Sequence, residues 1–510
     1  MKPWSGLEDL SDLLNPVAVK ELRQIAEGRF VIFLLLGLVG LETLFVGGAL
    51  LTAGSSGTVA LGRTVFALLY TILSISCMLL VPVYIGWRLA SERFGEEMDL
   101  IFITAISARH VVSGKLFSTI ALTGLVFSTF LPFLGLTYYL RGVDLASIFT
   151  VTAFSFAAVL LITLAAMVLA ALPVSRAVKI VLVVGSLLFL LQFGGFGLFW
   201  ILAFLASGGM SVGTTAHIGW GGLLASLISS GSTAETWTFN LFLLIVLGIL
   251  ALLLFQVAVA LLTPPAANRA RGFRTSLLWC WAITGAGAAG ATFYFREAFF
   301  VIFWCVLFVL IISAGFFVAV SERHRYGRRI LRGVPSRGWP LWKTFLLSSG
   351  AAAGVIFNSL LGMATLLVAH FTSLYLASGD SVSKAIAIAA GLMLYSLGYS
   401  LIGLIIYRSL PSGLLHPKRS GLLALGVLLA AMLIPPVAGA LAAPEFWSTS
   451  EGFRYFLLGN PVGLAVESNR GAHLVMGVFL SAVGLLGSAS WMGAQFDAFR
   501  SRLPRKPAHE

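Results

Sequence analysis

With only 20 Asp and Glu among 510 residues, this chain can do little acid chemistry, and where its acids gather is informative. The densest group lies between Ser91 and Lys115 (SERFGEEMDLIFITAISARHVVSGK), where Glu92, Arg93, Glu96, Glu97, Asp99, Arg109 and Lys115 form a polar island between two long apolar runs. Charge at this density does not lie in hydrocarbon, so the island projects into water, where a soluble partner can press on it. Its start recurs: Ser321-Glu322-Arg323 closes another apolar run, and Lys343 opens the next as Lys115 does in the first copy. That pairing points to two related halves, each with a polar loop before its third span. Glu42 is the one acid near the middle of an apolar run, where a carboxyl group faces a bundle interior or a water path and is a functional candidate. The bland alternative is a carboxyl hydrogen-bonded to a neighbouring helix.

No convergent catalytic set accompanies these residues. A GxxxxGK[ST] phosphate loop, HExxH and paired Cys/His spacings are all missing from the sequence. Cys77, Cys280 and Cys305 fall singly inside apolar runs and read as small packing residues. Gln192, Gln256 and Asn358 read as amides joining helices, His370 as an interfacial residue, and the row Ala282, Ala286, Gly290 as a surface for close helix approach. The expectation is a chain that is not an enzyme, with no metal, no cofactor of its own and no catalytic residue.

The elements that must position these residues are helices. At 59% hydrophobic and 10% charged residues, with mean hydropathy +0.98, the chain holds more apolar surface than a soluble core can bury. Runs such as 178–206 do not alternate as barrel strands do. The fold class is therefore an all-α integral membrane protein of about twelve transmembrane helices in two six-helix halves, with an amphipathic N-terminal helix. Apolar runs place spans at 30–52, 64–87, 116–139, 148–172, 178–206 and 239–262, then 277–294, 298–320, 344–370, 385–407, 421–443 and 472–493. The domains are an interfacial helix over 1–29, a first six-span unit over 30–262, a linker over 263–276, a second unit over 277–493 and a basic tail over 494–510. Asn15-Pro16 starts the first helix, with Ala18, Leu22 and Ile25 on one face and Lys20, Glu21 and Arg23 away from it. No cleavable signal peptide is visible.

Loop charge orients the spans. Twenty-seven of the 33 Lys and Arg fall on the side holding the N-terminus and six on the other. Both termini are therefore expected in the cytosol, in a multi-pass protein of the plasma (inner) membrane. The net charge of +13 is explained by topology and needs no nucleic acid partner. Each half joins its fifth and sixth spans by its longest outside connection, 207–238 and 444–471, and each connection carries a short semi-apolar stretch suited to a re-entrant or interfacial helix. In the first polar loop Ser91 is expected to cap a helix carrying Glu92, Glu96 and Glu97, and Ser107 a second helix running into the third span. Two capped helices joined to a span make a lever. From Arg88 to Lys115 the charges cancel, whereas Ser321 to Lys343 sums to +6, so Arg328 and Arg329 suit an acidic partner surface or anionic lipid.

The run Thr104 to Lys115, TAISARHVVSGK, resembles the Thr-Pro-Leu-Ser-x-x-x-Ile-Val-x-Gly-Lys signature of permeases of type 2 ATP-binding cassette (ABC) exporters. Glu92-Arg93, Met98-Asp99-Leu100, Thr104, Ser107, Gly114 and Lys115 match that pattern, and Asn15-Pro16-Val17 with Lys20-Glu21-Leu22-Arg23 is similar to the family's opening. The likeness is specific over the first 140 residues. It implies a six-span permease unit whose loop between spans two and three docks on a cytosolic ABC ATPase dimer. ATP would then be bound by that partner, and two such units would be fused here around an unknown exported substrate. Ala105 stands where the family has proline, and the second copy keeps Ser321-Glu322-Arg323 and Pro335-Ser336 without the acidic segment or the Gly-Lys ending. Two other classes stay open. An ion-coupled secondary transporter would use Glu42, and a membrane-embedded glycoconjugate enzyme would use Glu445, Glu451, Arg454, Glu467 and Arg470 on the outside loops.

Overall fold

The computed structural model describes residues 15–52, 58–94, 107–140, 145–172, 234–264, 267–322, 326–335, 338–375, 380–411, 420–442, 458–465 and 470–501. Among them no strand occurs, and the chain divides into two compact units, Met1–Pro264 and Pro265–Glu510. Nine helices among the described residues are long and apolar enough to cross a membrane. The chain is thus an all-α, multi-pass membrane protein. The expected run 178–206 lies outside the described residues, 344–370 is divided between two helices at 347–350, and 277–294 and 421–443 fall on helices that are not among the nine.

The first unit holds α1 (Pro16–Ala26), α2 (Arg29–Thr52), α3 (Thr58–Ile75), α4 (Val81–Phe94), α5 (Ala108–Tyr139), α6 (Leu145–Ala171) and α7 (Ala234–Leu262). Asn15 caps α1 through a bond from Val17 N to its Oδ1 at 3.1 Å, and Pro16 takes the first helical position, where a missing N–H costs nothing. A π-helical turn, Ser76–Leu80, joins α3 to α4 just before Pro82. The wider turn accommodates a proline that cannot donate to the turn below it. On α2, Val31, Leu38, Glu42 and Val46 form one buried stripe, while Ile32, Phe33, Leu36, Leu44 and Leu51 are exposed. An apolar face of that extent is at ease only in lipid. Helix α5 has 32 residues, about 48 Å at 1.5 Å per residue, so it outruns a hydrocarbon core of roughly 30 Å by several turns.

The second unit holds α8 (Ala270–Phe295), α9 (Phe299–Val320), α10 (Arg328–Arg332), α11 (Trp339–Leu346), α12 (Ala351–Tyr375), α13 (Asp380–Ser409), α14 (Ser420–Ala442), a 3-10 turn over Pro461–Ala465, and α15 (Arg470–Arg500). Helix α13 is its hub, packed by α9, α14 and α15. Small residues set its closest approaches: a Cβ on Gly398 would stand 2.8 Å from Leu480 Cβ, and one on Gly484 2.7 Å from Leu401 Cβ. The expected row Ala282, Ala286, Gly290 does not serve this purpose, since Ala286 and Gly290 are exposed and Gly285 instead receives the Trp304 ring. Lys343 also departs from its expected role. It lies exposed in the short helix α11, and the span begins only at Ala351, so Lys343 is not the counterpart of Lys115.

Gly114 marks where α1 crosses α5, since a Cβ there would lie 2.8 Å from Val17 Cβ and 2.9 Å from Ala18 N. Gly124, further along α5, has open space around it. Gly114→Ala is expected to destabilise the protein by about 1–3 kcal/mol through overpacking, and Gly124→Ala to be neutral or mildly stabilising. Thermal unfolding of the purified variants in lipid nanodiscs measures both; equal melting temperatures would show that α1 does not hold this position.

Candidate functional site

The polar loop rests on a buried charge cluster. Lys115, in the second turn of α5, is 1% exposed and donates to Glu21 Oε1 of α1 at 2.6 Å. The same ammonium lies 2.9 Å from Glu92 Oε2 of α4. The other oxygen of Glu21 lies 3.2 Å from Arg88, four residues before Glu92 on the same face of α4. Arg88 also donates to Gln24 and covers the Tyr84 ring at 5.6 Å. Arg88, Glu21, Lys115 and Glu92 therefore form an alternating chain of charges that starts and ends on α4. With two cations and two anions it is neutral, as burial requires.

Neutral groups bring the cluster together. Asn15, while capping α1, donates through Nδ2 to His110 O at 2.5 Å and to Ser113 Oγ at 3.1 Å. Ser107 caps α5 as expected, receiving His110 N. Gly114 then lets α1 approach closely enough for the short Glu21 side chain to reach Lys115. The physical effect is a rigid joint between the amphipathic helix α1, the end of α4 and the start of α5.

Two expectations are corrected here. Ser91 does not cap a helix, because α4 runs through it to Phe94 and its hydroxyl donates to Arg88 O at 2.8 Å. Glu21 does not face away from the apolar side of α1; it is 1% exposed and shares the buried stripe with Ala18 and Ile25. Sequence reasoning missed both Glu21 and Arg88 as site residues. An acid at position i+3 on the apolar stripe of an amphipathic helix was the available signal, since such a group is buried only with a partner. Arg93 falls within α4, whereas Glu96, Glu97, Asp99 and Thr104 lie outside the described residues.

In the second unit Ser321 and Glu322 follow α9, but the partner differs. Arg274, near the start of α8, donates to both oxygens of Glu322 at 2.7 and 2.6 Å. Its other nitrogen donates to Leu346 O at 2.9 Å and Ser348 O at 2.5 Å, closing the C-terminus of α11. Gly354 gives the guanidinium room, since a Cβ there would sit 2.6 Å from Arg274 Nη2. Burial pushes the Glu322 carboxyl above its ordinary range, and the Arg274 charge opposes that shift. Burial likewise pushes the Tyr326 phenol up to about 12. Arg328 and Arg329 are exposed on α10, and Arg323 lies outside the described residues.

Glu42 is fully buried on α2, and Thr129 of α5 donates to its Oε1 at 3.3 Å. Its Oε2 has no hydrogen-bond partner among the described residues. No group of three or more metal-ligating side chains occurs among them either.

The far end of the second unit holds an inserted segment within the 444–471 connection. Gly459, at φ +95°, offers its carbonyl to Tyr399, which lies about 15 Å along α13 from Ser409 at 1.5 Å per residue. Asn460 donates to Met432 O of α14 at 3.0 Å. Pro436 stands four residues after Met432 and has no N–H, so it leaves that carbonyl without a helical donor. Leu464 is buried against α13 at Gly391, His473 of α15 accepts or donates at 3.1 Å with Tyr395, and a Cβ on Gly463 would overlap His473. The segment is thus seated among α13, α14 and α15, and it satisfies the one carbonyl of α14 that Pro436 leaves free. The corresponding 207–233 stretch of the first unit lies outside the described residues.

No family model, curated protein or solved structure matches this chain.

Removing one member of the Arg88–Glu21–Lys115–Glu92 chain strands a buried charge. Lys115→Met and Glu21→Met are each expected to cost about 3–5 kcal/mol, and the double replacement less than their sum. Hydrogen exchange over residues 16–26, together with the melting temperature, reads the release of α1. Additive single losses with α1 still protected would show that the pair does not hold the joint.

Proposed function

We propose that this chain is the membrane-spanning permease subunit of an ATP-driven exporter of the ABC type 2 class. In this reading two fused six-span units make about twelve spans, both termini lie in the cytosol, and a separate cytosolic ATPase dimer binds ATP. The observation that carries it is the buried charge chain that joins α1, α4 and α5 at the two ends of the 91–115 segment. A soluble charged loop needs no such base, whereas a loop that passes force to a span does. Five residues of the joint, Asn15, Glu21, Glu92, Gly114 and Lys115, are also among those on which the likeness to that family rests.

Within this assignment the first loop makes the power-transmitting contact, through Glu96, Glu97 and Asp99. Coexpression with ABC ATPases from the source genome, followed by affinity purification and ATPase assay in proteoliposomes, tests it. Reversal of those three acids to Lys is expected to abolish stimulation of ATP hydrolysis by the permease while the chain still folds. Stimulation that survives the triple reversal removes the coupling role. Single cysteines at 100 and 330 should be closed, and those at 220 and 460 open, to an impermeant thiol reagent applied from outside; the reverse pattern overturns the topology.

A second reading, an ion-coupled secondary transporter, is favoured by one observation, the buried Glu42 with an oxygen unpartnered among the described residues. Glu42→Gln separates the two. An ion-coupled carrier loses gradient-driven uptake with no ATPase present, whereas an exporter retains its folding and shows at most altered ATPase stimulation.

A further inference from the structure

We propose that the outward face of α10 and α11 is a docking surface for the anionic headgroups of the bilayer that holds the second unit. The inner side of this loop is committed to packing: Leu331, Val334, Leu341 and Phe345 form a cluster with Ala352, Ala353 and Phe499, and Trp342 stacks on Phe496 at 4.5 Å. The outer side carries Arg328, Arg329, Arg332 and Lys343, all exposed, with Trp339 at 74% and Trp342 at 45% exposure. No Asp or Glu occurs between Glu322 and Asp380, and Glu322 is already paired with Arg274. Asp497, an exposed neighbour of Phe496, is the one acid in the helices packed beneath this face.

The height of the face in the membrane follows from its tethers. Arg274 lies in the second turn of α8, holds Leu346 O and Ser348 O, and pairs with Glu322 just past the end of α9, so the C-terminus of α11 sits level with the end of that membrane-crossing helix. A short helix at that boundary meets the headgroup layer. Indole rings prefer that layer because they are apolar with one polar N–H, and basic side chains bind anionic lipid there. An acidic protein partner would account for the bases but would leave the exposed Trp339 indole unexplained. The inference rests on the membrane fold alone, so it and the exporter assignment can fail separately.

The test places a fluorophore at Gly333→Cys, an exposed site with φ −91° where an added Cβ meets only Ile330 O at 3.8 Å. The native Cys77, Cys280 and Cys305 are buried, which keeps labelling selective. The labelled full-length chain is reconstituted in nanodiscs of phosphatidylcholine with or without phosphatidylglycerol, each doped with a lipid bearing a nitroxide on its headgroup. Quenching is expected to be several-fold stronger with phosphatidylglycerol and to weaken as salt is raised. At about fivefold per base near an anionic surface, the R328Q/R329Q/R332Q/K343Q variant should lose this response while keeping the melting temperature. Should that variant fail to fold, the comparison of the two lipid compositions decides alone. Equal, weak quenching in both compositions overturns the proposal. Protection of the site by soluble polyglutamate, without any response to phosphatidylglycerol, also overturns it and assigns the face to an acidic protein.

Discussion

An ionised side chain at the end of an apolar helix must find an opposite charge before the helix can settle in lipid, and both units are built around meeting that demand. In the first, Lys115 is enclosed by Glu21 and Glu92. In the second, Arg274 is enclosed by Glu322 and by the terminal carbonyls of α11. Each arrangement depends on a glycine that lets helices approach: Gly114 beside Lys115 and Gly354 against Arg274. Without those spaces the charges would be stranded within the packing rather than paired across it.

The two solutions have different mechanical consequences. Glu92 and Glu322 occupy matching places in the repeated Ser-Glu-Arg segments, yet one pairs with the start of α5 and the other with the start of α8. The first pairing ties the polar loop to α5 and to the interfacial helix α1. The second ties the loop down onto the unit itself, with Phe345, Phe496 and Phe499 beneath it and Gln495 Oε1 accepting from Ala352 N at 3.0 Å. One loop is therefore footed on helices that can carry a displacement, and the other is fastened by an apolar cluster. The two Ser-Glu-Arg segments thus end in different surroundings, one joined to α1 and α5 and the other to α8.

Backbone satisfaction explains the remaining irregularities. Pro82 is preceded by a π-helical turn, and Pro436 frees a carbonyl that Asn460 satisfies from a non-helical segment. Irregular backbone at this depth survives only where side chains serve it. The inserted segment around Gly459 is accordingly held by Tyr399 and backed by His473 rather than exposed to lipid.

What the sequence by itself determined was local. Hydropathy placed the apolar helices, because a spanning helix satisfies its own backbone and needs only its own residues to be apolar. The caps at Asn15 and Ser107 were readable because the bonded N–H groups lie two and three residues away. Only the tertiary structure decided which charges pair. Glu21 meets Lys115 across 94 positions and Arg274 meets Glu322 across 48, so local pattern placed Glu21 on the wrong face and Ser91 at a helix start that does not exist. The equivalence drawn between Lys343 and Lys115 failed for the same reason, since the short helix α11 separates Lys343 from its span. Partner choice in lipid is set by which helices meet and at what distance, and that is fixed by glycines and side-chain packing far apart in the chain.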